Sequence, residues 1–254
     1  MEAEIVSGSK AARVLVAGLM MLGASTAFGQ SNPLVWESET LNMRFAYPTD
    51  FVQRDATAAM HDGHLTIFGI SGDADPELAA ATHCLKPDLL VELPGSDVSQ
   101  TTSSKPAADG STQVTITPSP TGTILLAELD IDCLTPEQQV KAHDLQAGMA
   151  EVVNKVPGMR SIMTPSWYTI GWQKVHVAAA QGQPQSQAGG QVGPLQLFTM
   201  GIATNWNSHI LVWYFSSNSV ALLDRMTKST VRFGRAKAES LYPVTIGNAG
   251  SASR

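Results

Sequence analysis

The sequence predicts an α+β fold, a mainly antiparallel sheet with helices packed on it, in a single domain that follows a cleavable leader. Three observations lead there. Short runs of aromatic and β-branched residues follow one another along the chain, separated by turn residues. The helix signals are few and fall between groups of strands, which favours an antiparallel sheet with helices over it. Hydrophobic residues make up 43% of the 254, enough for one substantial core.

The first residues read as a targeting segment. Lys10 and Arg13 give a positive flank, Val14 to Ala24 form an apolar stretch, and Ala27-Phe28-Gly29 places small residues where a signal peptidase cuts. The apolar stretch is shorter than the roughly 20 residues that span a bilayer. The expectation is a signal peptide over residues 1–29, a mature chain beginning at Gln30, a secreted or periplasmic location, and no membrane contact after cleavage. A domain over 30–234 and a disordered tail over 235–254 complete the organisation.

The mature part opens with Pro33 to Glu37 and Asn42 to Pro48, two strand-like runs that pair across Ser38 to Leu41. His64 to Ile70 reads as a strand or buried loop. Asp75-Pro76-Glu77 starts a helix, with Asp as cap and Pro in the first turn, running to Cys84 and ended or bent by Pro87. Residues 95–111 are rich in Ser, Thr, Asp, Gly and Ala and mark a flexible exposed loop. Thr112 to Thr117 and Ile124 to Cys133 follow as strands about the turn at Pro118 to Gly122. In the second of these, Leu125, Ala127, Leu129, Ile131 and Cys133 face inward, and Glu128, Asp130 and Asp132 face outward.

Thr135-Pro136-Glu137-Gln138 combines an N-cap, a first-turn Pro and a capping-box Gln. It opens one helix whose stripe is Leu145, Met149, Val152, Val153 and Val156, stopped at Pro157-Gly158. Trp167 to Ala178 and Leu195 to Thr204 read as partner strands across a Gln/Gly-rich flexible segment, 181–194. Asn205 to Ser208 turns the chain into the strand His209 to Phe215. A helix over Ser219 to Lys228 and a strand at Thr230 to Phe233 close the domain.

Two cysteines stand in the mature part, Cys84 and Cys133, and in an oxidising compartment they form one disulfide, from the first helix to a central strand. The net charge is -6 with no block of Lys and Arg, so the electrostatic footprint of a nucleic-acid binder is missing. No nucleophile elbow, zinc-helix motif, phosphate loop or dinucleotide fingerprint occurs, and no cofactor is implied. His61 and His64, with Asp62 between, are the candidate metal ligands. Gly63 favours a solvated turn instead, because a zinc site needs three or four converging ligands. The carboxylates Glu128, Asp130 and Asp132 read as a solvent-facing strand surface. Aromatics gather late in the chain, and Trp206, Trp213 and Tyr214 are the candidate binding residues for a protein, peptide or carbohydrate ligand.

Met43-Arg-Phe-Ala-Tyr-Pro-Thr-Asp-Phe51 and His209-Ile-Leu-Val-Trp-Tyr-Phe215, the latter followed by a helix and Ser229-Thr-Val-Arg-Phe233, resemble the opening and closing segments of the Mog1/PsbP/DcrB-like group of α/β/α sandwich proteins. The long middle, with Cys84, Cys133 and the Thr135 helix, departs from a small member of that group. The resemblance implies a non-catalytic accessory or binding role and supplies no functional residues. The expectation for function is therefore a secreted non-catalytic binding or accessory domain. The alternatives are an extracytoplasmic hydrolase or metal-dependent enzyme, and a subunit of an envelope assembly.

Overall fold

A computed structural model describes residues 33–61, 83–94, 100–106, 112–118, 120–155, 158–182 and 196–246. The expected leader, the His61–His64 pair as a metal site, and the expected strand and helix between residues 64 and 82 lie outside the described residues or side chains.

Two hairpin-like runs open the fold as expected: β1 (Leu34–Ser38) pairs antiparallel with β2 (Met43–Tyr47). Asn42, at φ 48, makes the turn between them, a conformation that Asn tolerates better than most residues. β3 (Val52–Arg54) and the short helix α1 (Ala56–His61) follow.

β4 (Leu85–Glu92) pairs with β3 on one side and with β7 (Gly122–Leu129) on the other. Pro87, expected to end a helix, instead lies within β4 beside a bulge between Pro87 and Leu89, where a missing N–H is tolerated. The flexible loop expected over 95–111 is also corrected. Gln100–Pro106 forms β5, which pairs with β6 (Thr112–Pro118) as a separate two-stranded ribbon. Its Thr and Ser residues read as loop, but a hairpin needs only backbone pairing.

β7 ends at Leu129, so Cys133 lies in the following turn and is exposed rather than inward-facing. Asp130 and Asp132 leave the strand with it. The Asp132 N–H donates to Asp130 Oδ1 (3.0 Å), a local turn that ends the ladder. The Cys84–Cys133 disulfide is present, with Cα atoms 5.5 Å apart. It joins the start of β4 to the turn after β7, two neighbouring strands of one sheet, not a helix to a strand. The Asp130 N–H donates to the Cys84 carbonyl (2.8 Å) at the same place.

The capping box forms as read: the Gln138 N–H donates to Thr135 Oγ1 (3.3 Å), and the Thr135 N–H donates to Gln138 Oε1 (3.0 Å). The expected single helix is two, α2 (Pro136–His143) and α3 (Leu145–Lys155). Asp144 breaks it by accepting from the Ala147 N–H (3.1 Å), which caps the second helix. β8 (Met159–Ser161) precedes a hairpin of β9 (Ser166–Ile170) and β10 (Gln173–Gly182). The single strand expected over Trp167 to Ala178 is thus folded back at Gly171 (φ 59) and Trp172. β11 (Leu197–Trp206) and β12 (His209–Ser217) meet at a two-residue turn in which Asn207 and Ser208 both have positive φ. α4 (Val220–Thr227), capped by Ser219, and β13 (Thr230–Phe233) follow as expected.

Among the described residues all pairings are antiparallel. The large sheet runs β3-β4-β7-β12-β11-β10-β8, with β9 also on β10, and the small sheet runs β1-β2-β13-β14, where β14 is Glu239–Ser240. One face of the large sheet, bearing Leu89, Leu126, Val177, Ile202, Trp213 and Phe215, packs on Phe45, Phe51, Leu223, Met226 and Phe233 from the small sheet, its following loop and α4. The other face is covered by α1 over Leu90, Leu125 and Tyr214, and by α3 over Ile210, Ala203 and Ala178. Burial on both faces explains why β11 and β12 read as nearly continuous apolar runs. At Gly122, a Cβ would meet Leu222 and Met226 at 3.0 Å, so the glycine lets α4 reach the start of β7.

The tail expected to be disordered from 235 is a correction as well. Residues 235–246 return to the core, and Leu241 (0% exposed) and Tyr242 (3%) are buried in it. The Leu241 N–H donates to the Ser229 carbonyl and the Tyr242 N–H to the Thr227 carbonyl. Small polar residues around them hide the signal in sequence.

Two outcomes test this architecture in urea unfolding. Leu241→Ala is expected to lose about 2–5 kcal/mol, where an unpacked tail would lose nothing. Replacing Cys84 and Cys133 together by Ala is expected to cost about 2–4 kcal/mol, through the freed loop in the unfolded chain.

Candidate functional site: a rim across five strands

The three residues expected to bind a ligand are core residues. Trp213 is fully buried, Tyr214 is 2% exposed and Trp206 is 7% exposed. Consecutive residues of a strand point to opposite faces, and here both faces are covered, so Trp213 and Tyr214 have no outlet. Trp206 ends β11, and its Nε1–H donates to the Leu41 carbonyl (2.5 Å), which also accepts from Asn207 Nδ2 (3.1 Å). Its ring packs against Phe233 at 5.0 Å between centroids. It fastens the large sheet to the small one.

The exposed aromatics are others, Trp172 at 69% and Trp167 at 55%. Trp172 stands in the β9–β10 turn, with its ring 5.5 Å from that of Trp206. The turn is held from three directions. Gln173 Nε2 donates to Thr204 Oγ1 (2.7 Å) and to the Asn205 carbonyl (2.6 Å), and Thr204 Oγ1 donates to the Lys174 carbonyl (2.6 Å). The Gly171 N–H donates to Glu239 Oε2 (3.1 Å), and Tyr168, whose hydroxyl burial keeps protonated, donates to the Leu241 carbonyl. Trp167 faces the opposite side of the hairpin, opposite His176 in the ladder, with Lys174 Nζ 4.8 Å from its ring centre.

On the same face and at the same end of the large sheet as Trp172 and Trp206 lies a polar group. His209 is the cross-strand partner of Trp206, so the two side chains share a face. His209 Nδ1 meets Glu128 Oε2 at 2.8 Å, and Lys86, opposite Glu128 in the ladder, comes within 3.5 Å of Oε1. Asp88 is the extra residue of the β4 bulge, next to the Lys86–Glu128 pair. Its Oδ2 is buried without a partner. Burial first, and the Glu128 charge second, push the Asp88 carboxyl up to about 6, against the opposing pull of Lys86 and His209. Glu128 is therefore not part of a solvated carboxylate surface with Asp130 and Asp132, because its side chain is only 12% exposed. Among the described residues no group of three or more His, Cys, Asp and Glu is arranged to hold a metal ion.

Lys86 and Asp88, Glu128, His209, Trp206 and Trp172 thus form a row across β4, β7, β12, β11 and the β9–β10 turn, in sheet order. At the spacing of neighbouring strands the row is about 19 Å long. The sequence hid it because its members come from four distant segments, and a lone Asp beside Pro87 carries no motif.

No protein-family model matches the chain. No curated protein matches it either. Among solved structures it is similar to PA94 of Pseudomonas aeruginosa, a protein of unknown function, at 14% identity over 48% of this chain and 69% of that one. The TM-score is 0.27, a likeness that carries no argument about fold or function.

Burial sets different costs at the two stacked indoles. Trp206→Phe removes the donor to Leu41 and is expected to cost about 1–3 kcal/mol, whereas Trp172→Ala, at an exposed turn, is expected to cost about 1 kcal/mol or less. Urea midpoints at constant m-value measure both.

Proposed function

We propose that this protein is a non-catalytic ligand-binding or accessory domain that works outside the cytoplasm, with Trp172 as its principal contact. The observation that carries this reading is an indole exposed to solvent over most of its surface and seated on a second, hydrogen-bonded indole. A large aromatic held rigid by its neighbours loses little entropy when a ligand covers it, which is what a binding hot spot requires. The face of such a ring takes a sugar ring or an apolar side chain of a peptide, and the carboxylates and imidazole along the row supply hydrogen-bond partners beyond it.

The carboxyl cluster favours binding over hydrolysis. Glu128 is engaged by His209 and Lys86, and Oδ2 of Asp88 is buried, so neither is presented to a substrate. The resemblance to the Mog1/PsbP/DcrB-like group points to the same accessory role. The extracytoplasmic location is supported by the Ala27-Phe28-Gly29 pattern and by a disulfide between the chain's two cysteines. No helix among the described residues is long and apolar enough to cross a membrane.

Glycan and peptide arrays probed with the intact protein identify the ligand class, and Trp172→Ala is expected to weaken the strongest signal at least tenfold with an unchanged circular dichroism spectrum. Equal binding by the variant would remove Trp172 from the site. Mass spectrometry of the exported protein is expected to find Gln30 at its start, and material retaining Met1 would contradict the location.

A further inference from the structure

We infer that Arg44 and Arg232 form a binding site for a phosphate-class oxyanion on the outer face of the small sheet. The inference does not depend on what Trp172 binds. Strand register puts the two arginines together. β2 and β13 are neighbours, and Arg232 is the cross-strand partner of Arg44. Such partners share a face, with Cβ atoms about 4.5–5.5 Å apart. Met43, Phe45 and Tyr47 on β2 and Val231 and Phe233 on β13 fill the core, so alternation turns Arg44 and Arg232 to the opposite side. Two guanidinium groups therefore stand side by side in a chain whose net charge is -6. Like charges directly opposite one another oppose the pairing of their strands.

Counter-charge comes from one side only. Arg44 Nη2 pairs with Glu37 Oε1 on β1, which lies across β2 from β13. Both side chains of that pair are about half exposed, where an ion pair holds little. Arg232 takes no part in it. Among the described residues its guanidinium makes no hydrogen bond and no ion pair, and its Nε is buried without a partner. Glu239 on β14, the other neighbour of β13, stands opposite Val231 and so shares the inward face, and its Oε2 accepts from the Gly171 N–H. Arg235 and Lys237, exposed between β13 and β14, only add positive charge.

An arginine cannot escape burial by losing its proton, so a buried Nε–H calls for an acceptor. The shape of the pair says which kind. A guanidinium presents its N–H groups as a planar fork that suits an oxyanion. A carboxylate has two oxygens in one plane, which a single fork occupies. A phosphate group has oxygens in several directions, so one group accepts from Arg232 and from the remaining donors of Arg44 together, and its charge of about −1.5 to −2 meets both cations. The Arg44 side chain, 42% exposed, leaves an approach from solvent.

NMR of the arginine Nε–H groups in the intact protein, with sodium chloride holding the ionic strength constant, reads the site directly. Inorganic phosphate is expected to shift Arg44 and Arg232 along one saturable curve, and sodium acetate is expected to give no saturation. A titration with glycerol phosphate separates the two sources of the group. A midpoint below that of inorganic phosphate assigns the site to a phosphate ester, and an equal or higher one assigns it to the free ion. Arg232→Met keeps an unbranched stem and removes the charge. Without phosphate it is expected to unfold in urea at a midpoint no lower than the native protein's, because the like-charge pair and the buried donor are both gone, while phosphate binding weakens at least tenfold. Arg232→Lys keeps the charge without the fork and is expected to lose most of the affinity as well. Absence of saturation, an equal response to acetate, or an unchanged phosphate curve in Arg232→Met overturns the inference.

Discussion

Burial of both faces of the strands β7 and β12 is the constraint on which the rest of the structure depends. Ile124, Leu126, Trp213 and Phe215 point to one side, and Leu125, Ala127 and Tyr214 to the other, and all are 2% exposed or less. Neither side is left to water, so the chain must supply a cover for each. The small sheet with α4 serves one face, and α1 with α3 serves the other. Side-chain volume then sets where each cover fits. Gly122 admits α4, and the alanines at 178, 180 and 203 admit the helical layer opposite.

The end of the large sheet carries a different set of forces. There the ladders stop, backbone groups lack partners, and the protein satisfies them with side chains: Trp206 and Asn207 on the Leu41 carbonyl, Gln173 on the Asn205 carbonyl, Glu239 on the Gly171 N–H. A disulfide closes the same end between β4 and β7. The result is a rigid rim on which polar and aromatic side chains are held in fixed order. Rigidity is what makes an exposed Trp172 suited to a ligand.

The C-terminal segment shows why solvent-like composition misleads. Leu241 and Tyr242 are two apolar residues among Lys, Glu, Ser and Pro, too few for a periodic pattern, yet both fill the core and Tyr242 packs edge-on against Tyr168 at 5.6 Å. The ribbon of β5 and β6 makes the complementary point, since its Ser- and Thr-rich segments pair as an antiparallel backbone ladder.

What the sequence determined by itself was local. The Thr135–Gln138 capping box, the helix expected over Ser219 to Lys228, a turn within Asn205 to Ser208, the pairing of β1 with β2 and of β10 with β11, and the bond between the chain's two cysteines each follow from a few neighbouring residues or from simple counting. Tertiary structure decided which aromatic residues are buried, because exposure depends on what covers a sheet face, and no alternation in β12 says that both faces are covered. It also decided the candidate site. Asp88, Glu128, His209, Trp206 and Trp172 carry no shared spacing in the chain, and they become neighbours only when sheet order places β4, β7, β12, β11 and β10 side by side.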